Sequence, residues 1–181
     1  TQTPKAVQAA VSSMLNIPKE NISLKMTRMG GGFGRRLYTH FGLEAAAISK
    51  KVGAPVKMVY TREDDMTQGT YRPAYRSVYK AGLDKNNNLI AFTVKGVGLP
   101  SGPVYPDRFP AGTVDNYMAE SKRSYTNIST GAWTAPRSHF TAGAEQSFID
   151  EVAEAAEKDP IDFRLELFEK AINNPVGEKY E

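Results

Sequence analysis

The sequence predicts an α+β fold, a mixed sheet with packed helices, and three observations carry that expectation. Apolar residues recur at helical spacing in four separate stretches. Four shorter stretches read as strands, two of them joined as a hairpin. The helical and strand stretches are mixed in order, which argues against a strict βαβ alternation. At 181 residues the chain suits one such domain or two small subdomains. Its texture divides into a first part, 1–97, an irregular part, 98–143, and a helical part, 144–174.

The first helix opens at Thr3-Pro4, read as an N-cap followed by proline at the first helical position. Ala6/Val7, Ala10/Val11 and Met14/Leu15 then mark one apolar face, and Asn16 and Pro18 end it. Residues 22–27 alternate, with Ile22, Leu24 and Met26 on one side, as in a half-buried strand that runs into Gly30-Gly31-Gly32-Phe33-Gly34. A second helix is expected over 42–52, with Leu43, Ala46 and Ala47 inward and Gly53 as its stop. Residues 56–60 read as a short strand, and Thr61 to Asp64 resembles a capping box opening a helical turn.

Residues 74–83 and 89–97 are expected to form the hairpin, around an Asp84 to Asn88 loop whose residues tolerate left-handed turns. Gly, Pro, Ser and Tyr dominate 98–143, which is either a long functional loop region or a set of short, irregular strands. A helix follows at 144–158, with Phe148, Ile149, Val152, Ala153 and Ala156 on one face. Asp159-Pro160 starts the last helix, whose stripe is Phe163, Leu167, Phe168 and Ala171, and Asn173-Asn174-Pro175 closes it.

Composition excludes several functions. Lys and Arg number 23 against 20 Asp and Glu, and no basic tract concentrates the small excess, so a nucleic-acid partner is not expected. No apolar run approaches the length of a membrane span, and no secretory leader pattern is present. The start at Thr1, entering a helix by Thr3, looks like a cut inside a larger protein, so the compartment stays open. With no cysteine, thiolate catalysis, zinc–thiolate sites and Cys-ligated iron–sulfur clusters are excluded from this chain.

Four glycines in five positions are costly in chain entropy. Such a loop lets another group approach the backbone, and successive N–H groups can form a nest for an anion or oxygen. The plain alternative is a tight turn against the core, which spacing alone slightly favours. The loop lacks G-x-x-x-x-G-K-[ST], and Arg35 after Gly34 breaks G-x-G-x-x-G, so neither nucleotide motif is intact. His40 and His139 lie at no metal-ligand spacing and read as surface or packing residues. Glu63-Asp64-Asp65 suits the start of a helix better than a cation site. Trp133 is either core packing or the lining of a pocket. The residues themselves therefore identify no metal ligand and no catalytic residue.

Five segments taken in order are more specific. They are Thr1-Gln2-Thr3; Arg28 through Arg36 with the glycine loop; Thr61 through Met66 with Tyr71-Arg72-Pro73; Gly131-Ala132-Trp133 with Ala135-Pro136; and Ser147 through Glu151 with Asp159-Pro160 and Phe163-Arg164. In this order and spacing the chain resembles the large subunit of the xanthine oxidase and aldehyde oxidase family of molybdenum hydroxylases, in its isoquinoline 1-oxidoreductase-like branch. The resemblance implies a molybdenum-cofactor-binding type of fold and a molybdopterin cofactor, often in the cytosine dinucleotide form in bacterial members. It implies that Gln2 reaches the cofactor through its amide, and that Gly31, Gly32, Phe33 and Gly34 pass beside the molybdenum. Neutral amide donors suit an anionic metal centre because they stabilise charge without adding a ligand.

The implied reaction is hydroxylation of an electron-poor carbon, in aldehydes or N-heterocycles, with a carboxylate base and with electrons leaving through an iron–sulfur subunit or domain. The family's general-base Glu lies beyond position 181, so the remainder of the same large subunit is an expected partner and this piece by itself is expected to be inactive and metal-free. Thr134 stands where many members have Arg, His40 where the branch commonly has an acid, and Leu37 where xanthine-type members have a substrate-binding Glu. Leu37 argues against a purine substrate. Thr134 motivates a second reading, a binding or structural module that keeps the fold without catalysis. A third, an unrelated nucleotide-binding domain, requires a phosphate motif that the chain lacks.

Overall fold

The computed structural model describes residues 1–133 and 141–173. They fall into two compact units, one of 1–72 with 128–133 and one of 73–127 with 141–173.

In the first unit, α1 (Pro4–Leu15) packs on α2 (His40–Val52). Val7 and Val11 of α1 are buried, on the face the spacing marked. Asn16, at φ 53°, takes the left-handed conformation that ends α1. Thr3 sits at the N-cap position, but its hydroxyl donates to the Leu37 carbonyl at 2.8 Å and does not cap the helix. After α1, a 3-10 turn (Lys19–Asn21) leads to an extended segment, and Gly53 closes α2 at φ 69°. In α2, Leu43 and Ala46 are half-buried, but Ala47 is exposed and no residue of the helix is fully buried. The short α3 (Arg62–Thr67) carries the expected capping box, with Thr61 and Asp64 bonding reciprocally.

The strands expected at 22–27 and 56–60 do not form. Their side chains alternate in burial over part of each stretch, but no described residue offers either of them a ladder. Alternation reports burial on one side; a strand also needs a hydrogen-bonding neighbour, which the pattern cannot supply.

The second unit holds the sheet and the hydrophobic core. β1 (Tyr75–Leu83) and β2 (Leu89–Gly98) form the expected antiparallel hairpin. Its loop is held by Asp84, whose Oδ1 accepts from the N–H groups of Asn86 at 2.8 Å and Asn88 at 2.9 Å, while Asn87 takes φ 61°. These bonds favour the ionised carboxylate and hold its pKa below the usual range, led by the Asn88 backbone N–H. Within the irregular stretch the described residues form one regular strand, β3 (Asn116–Arg123), parallel to β2 after a crossover over 99–115. The sheet is therefore mixed, with β2 central.

Two helices, α4 (Ala142–Ala155) and α5 (Pro160–Asn173), follow. Ile149, Val152, Ala153, Phe163 and Leu167 bury against Phe92 and Val94 of β2. The expected stripe on α5 narrows at Phe168, which is 49% exposed and instead lies 4.9 Å from the Phe109 ring, centroid to centroid. Asp159 caps α5, its Oδ1 accepting from Ile161 and Asp162. The end expected at Asn174-Pro175 lies outside the described residues. In the crossover, Arg108 donates to both carboxylate oxygens of Glu145 at 3.0 and 2.8 Å, tying this loop to the first turn of α4. That bonding to Glu145 raises the Arg108 pKa. Among the described residues no helix is long and apolar enough to cross a membrane.

Candidate functional site

The glycine loop, the N-terminal residues and the returning strip 128–133 meet within the first unit. Gln2 is anchored by its backbone N–H, which donates to the Arg36 carbonyl at 2.8 Å. Its side chain then lies across Gly32: a Cβ built there would sit 2.2 Å from the Gln2 Cδ and Oε1 atoms. A side chain at position 32 would displace the amide from this place. The structure thus brings together the two elements that the resemblance paired, and the amide itself is exposed with no hydrogen-bond partner among the described residues.

Phe33 sits at the loop's tip with φ 50°, a left-handed conformation that costs a non-glycine residue on the order of 1–3 kcal/mol. Its ring folds back over Gly31 and is 68% exposed. A large apolar ring left in water on a strained backbone is an arrangement that a bound group would repay. Gly34 has the opposite character. It is buried at φ 78°, and a Cβ there would meet the Ala132 carbonyl oxygen at 2.7 Å and the Trp133 Cα at 3.0 Å. The loop is therefore clamped at Gly34 and open at Gly30 to Phe33, whose N–H groups engage no other described residue.

Tyr38, which the sequence did not single out, Tyr71, named only within a motif, and Trp133 hold this arrangement. Tyr38 accepts a hydrogen bond from the Ala132 N–H through its hydroxyl, and Tyr71 exchanges backbone bonds with the strip, its N–H to Ser129 at 2.8 Å and its carbonyl from Gly131 at 3.0 Å. Neither tyrosine lies in a spacing that could have revealed a partner some sixty or ninety residues away in the chain. Arg72 lies over the Trp133 ring at 5.6 Å, so this tryptophan, 37% exposed, serves loop packing and not the core. Thr134, Ala135-Pro136 and His139 lie outside the described residues.

The double arginine flanks the loop. Arg35 lies over the Phe41 ring at 4.9 Å, 3.5 Å from Asp65, and its Nη1 donates to His40 Nε2 at 3.2 Å. That bond makes Nε2 an acceptor, so the His40 proton is assigned to Nδ1. Burial, then the Arg35 and Arg36 cations, lower the His40 pKa against a smaller opposing effect of Glu44, which keeps the ring neutral at pH 7. His40 lies against Phe41 with centroids 4.0 Å apart and the rings tilted by 37°, a packing contact, one of the two readings its spacing suggested. Tyr60 donates to Glu44, and burial together with that bond pushes its pKa up to about 12. Of the acidic trio, Asp64 caps α3 and Asp65 faces Arg35, so neither is an unengaged ligand. No cluster of three or more His, Asp or Glu that could hold a metal ion occurs among the described residues.

The exposed Gln2 amide and the open loop N–H groups, with Arg35 and Arg36 close by, fit an anionic group held through neutral amides. That class of site is borne by an α+β fold, and comparison with known proteins places the chain further. The molybdopterin cofactor-binding domain family matches residues 1–168, and the chain belongs to it. A membrane-bound aldehyde dehydrogenase [pyrroloquinoline-quinone] of Gluconacetobacter polyoxogenes is 28% identical over 92% of this chain and 24% of its own length. Isoquinoline 1-oxidoreductase subunit beta of Brevundimonas diminuta is 26% identical over 91% of the chain and 23% of its own. The crystal structure of quinoline 2-oxidoreductase from Pseudomonas putida 86 shares the fold, with a TM-score of 0.70 at 22% identity over 91% of this chain and 23% of that one. The chain thus spans about a quarter of the length of the curated relatives it matches over most of its residues.

Proposed function

We propose that this chain is the cofactor-cradling part of a molybdenum hydroxylase that acts on aldehydes or N-heterocycles. One observation carries the reading: the Gln2 amide lies across Gly32, beside an exposed Phe33 and a run of unengaged backbone N–H groups. Gln2 and the N–H groups of Gly31 to Gly34 would hold a molybdopterin, in its plain or cytosine dinucleotide form. When bound, that group supplies the redox chemistry. The chain's residues position and shield it. Gln2 and the loop amides stabilise its negative charge without ligating the metal, and Phe33 excludes water from one side. The general base, and the iron–sulfur clusters that take the electrons, belong to other parts of the assembled enzyme, so the 181-residue piece alone is expected to be inactive and metal-free. The names of the oxidoreductases among its relatives support the substrate class.

The test is retention of cofactor. In the whole molybdenum-binding subunit, Gln2→Ala and Gly32→Ala should lower both molybdenum content and pterin fluorescence after denaturation, with the fold unchanged by circular dichroism. Full loading of both variants would overturn the cradle. Thr134 keeps one rival reading in play, a module that binds without catalysing; a loaded wild-type subunit with no turnover of aldehyde or N-heterocycle would favour it.

A further inference from the structure

Arg35 occupies the middle of the turn that carries the glycine loop. Around it the Arg36 N–H donates to the Gly32 carbonyl and the Leu37 N–H to the Gly34 carbonyl, both at 3.2 Å, and the Arg36 carbonyl anchors the backbone of Gln2. The Arg35 side chain, 15% exposed, leaves this turn and reaches two helices, meeting His40 and the Phe41 ring on α2 and Asp65 on α3. Among the described residues its guanidinium makes one hydrogen bond, from Nη1 to His40 Nε2 at 3.2 Å. Nη2 is buried without a hydrogen-bond partner, 3.5 Å from Asp65 Oδ1, which is long for a charged pair. The turn is thus tied to α2 by a ring contact and a single acceptor, an imidazole nitrogen.

That acceptor exists only while the ring is neutral. An imidazolium carries N–H on both nitrogens and accepts nothing. Nη1 would then face an N–H at 3.2 Å, cation against cation, in a half-buried place where charges are screened less than in open water. The groups around the ring add to the repulsion. Arg36 stands over the same Phe41 ring at 5.2 Å, a second cation. Glu44, one turn along α2, opposes them, but it already accepts the Tyr60 hydroxyl. Asp65 of α3 is paired with Arg35, and the Tyr38 ring lies 6.2 Å away. α1 meets α2 through Val7 at Gly42 and brings no charge to the ring. Arg35, a long side chain, is the group free to swing away.

We propose that His40 is a proton-operated latch on the glycine loop: neutral, it holds Arg35 and seats the turn on α2; protonated, it releases Arg35 and the loop loosens. The Gly34 contact with Ala132 and the bonds of Gln2 and Thr3 to the turn remain, so release loosens the cradle without unfolding it. Burial and the neighbouring cations hold the ring's pKa down, so the latch is closed at neutral pH and opens in acid, below 6.5. As a control on cofactor retention the latch rests on the cradle proposed above; as a movement of the loop it does not.

Amide hydrogen exchange, read by mass spectrometry on the cofactor-free whole subunit at pH 7.5 and pH 5 and corrected for the chemical effect of pH on exchange, tests it. The variant is His40→Gln, whose side-chain oxygen accepts a hydrogen bond and takes up no proton. In the wild type the Arg36 and Leu37 amides should exchange about tenfold faster, or more, at pH 5 than at pH 7.5, while those of β2 stay protected. In His40→Gln the two rates should agree. No acceleration in the wild type overturns the latch. So does equal acceleration in both proteins, which would assign the titration to a carboxylate such as Glu44 or Asp65. Arg35→Met, with nothing to release, should exchange fast at both pH values; wild-type protection in it at pH 7.5 would show that Arg35 holds nothing and would also overturn the latch. With cofactor loaded, dialysis at pH 5 should strip molybdenum from the wild type and spare His40→Gln; equal loss from both overturns the control on retention. Because the exchange is read without cofactor, full molybdenum loading of Gln2→Ala would remove the cradle and leave the exchange result standing.

Discussion

Gly34→Ala probes the clamp between the loop and the returning strip. A side chain at φ 78° costs about 1–2 kcal/mol, since the left-handed region crowds Cβ against the following carbonyl. The new methyl would also stand 2.7 and 2.9 Å from the Ala132 carbonyl oxygen and carbon, backbone atoms that cannot swing away as a flexible side chain can. Overpacking of that kind adds about 1–3 kcal/mol. Alanine also restricts the unfolded chain, which returns about 0.4–1 kcal/mol, leaving a net loss of about 1–5 kcal/mol. The assay is built in, because Trp133 is the only tryptophan and its Cα lies 3.0 Å from the added methyl. In urea, with a slope of about 1–3 kcal/mol per molar, the fluorescence transition of the variant should move down by more than about 0.3 M. A midpoint within about 0.3 M of wild type would refute the clamp, since neither the dihedral nor the contact could then be as described.

Glu44→Gln should bring the Tyr60 phenol, raised to about 12, back toward 10, seen as an earlier rise of tyrosinate absorbance in an alkaline titration; an unchanged curve would remove Glu44 from the cause. For His40 the folded pKa lies below the unfolded value of 6.5, so the unfolded chain binds the extra proton first. Its contribution is complete above about 6.5 and is lost as the pH falls through the lowered folded value, so His40→Asn should flatten the stability profile between pH 7 and pH 5. Denaturation curves of the two proteins at pH 7 and 5 with equal differences would contradict this. Phe163→Ala, at a side chain only 2% exposed, should cost about 3–5 kcal/mol in the helical transition of the second unit. A smaller loss would mean that the core relaxes around the cavity.

What the sequence made legible was local and periodic. The hairpin, the Thr61 capping box, the Asp159 cap and the helical stripes through Val7, Ile149 and Phe163 follow from neighbours within a turn or two. The strands at 22–27 and 56–60 failed because a ladder is a property of two segments, and periodicity describes one. β3 was hidden for the reverse reason: Asn116 to Arg123 is nearly all exposed, so little alternation marks it, and it exists because β2 offers an edge. At the site, glycine density flagged the loop and ordered motifs attached Gln2 to it. The supporting contacts of Tyr38, Tyr71 and Ala132 span up to 94 residues of chain, and nothing local encodes them.

The return of the strip 128–133 to the glycine loop also sets an order of events during synthesis. Gly34 and the backbone at Ala132 that it packs against are separated by a complete hairpin and crossover. At about 5–20 residues per second, the ribosome delivers the second half of that contact on the order of five to twenty seconds after the first. Through that interval the nascent loop has no clamp, and the second unit's strands emerge ahead of the piece that fastens it. A cofactor that needs the clamped loop would therefore be inserted only after the strip through Trp133 has been made.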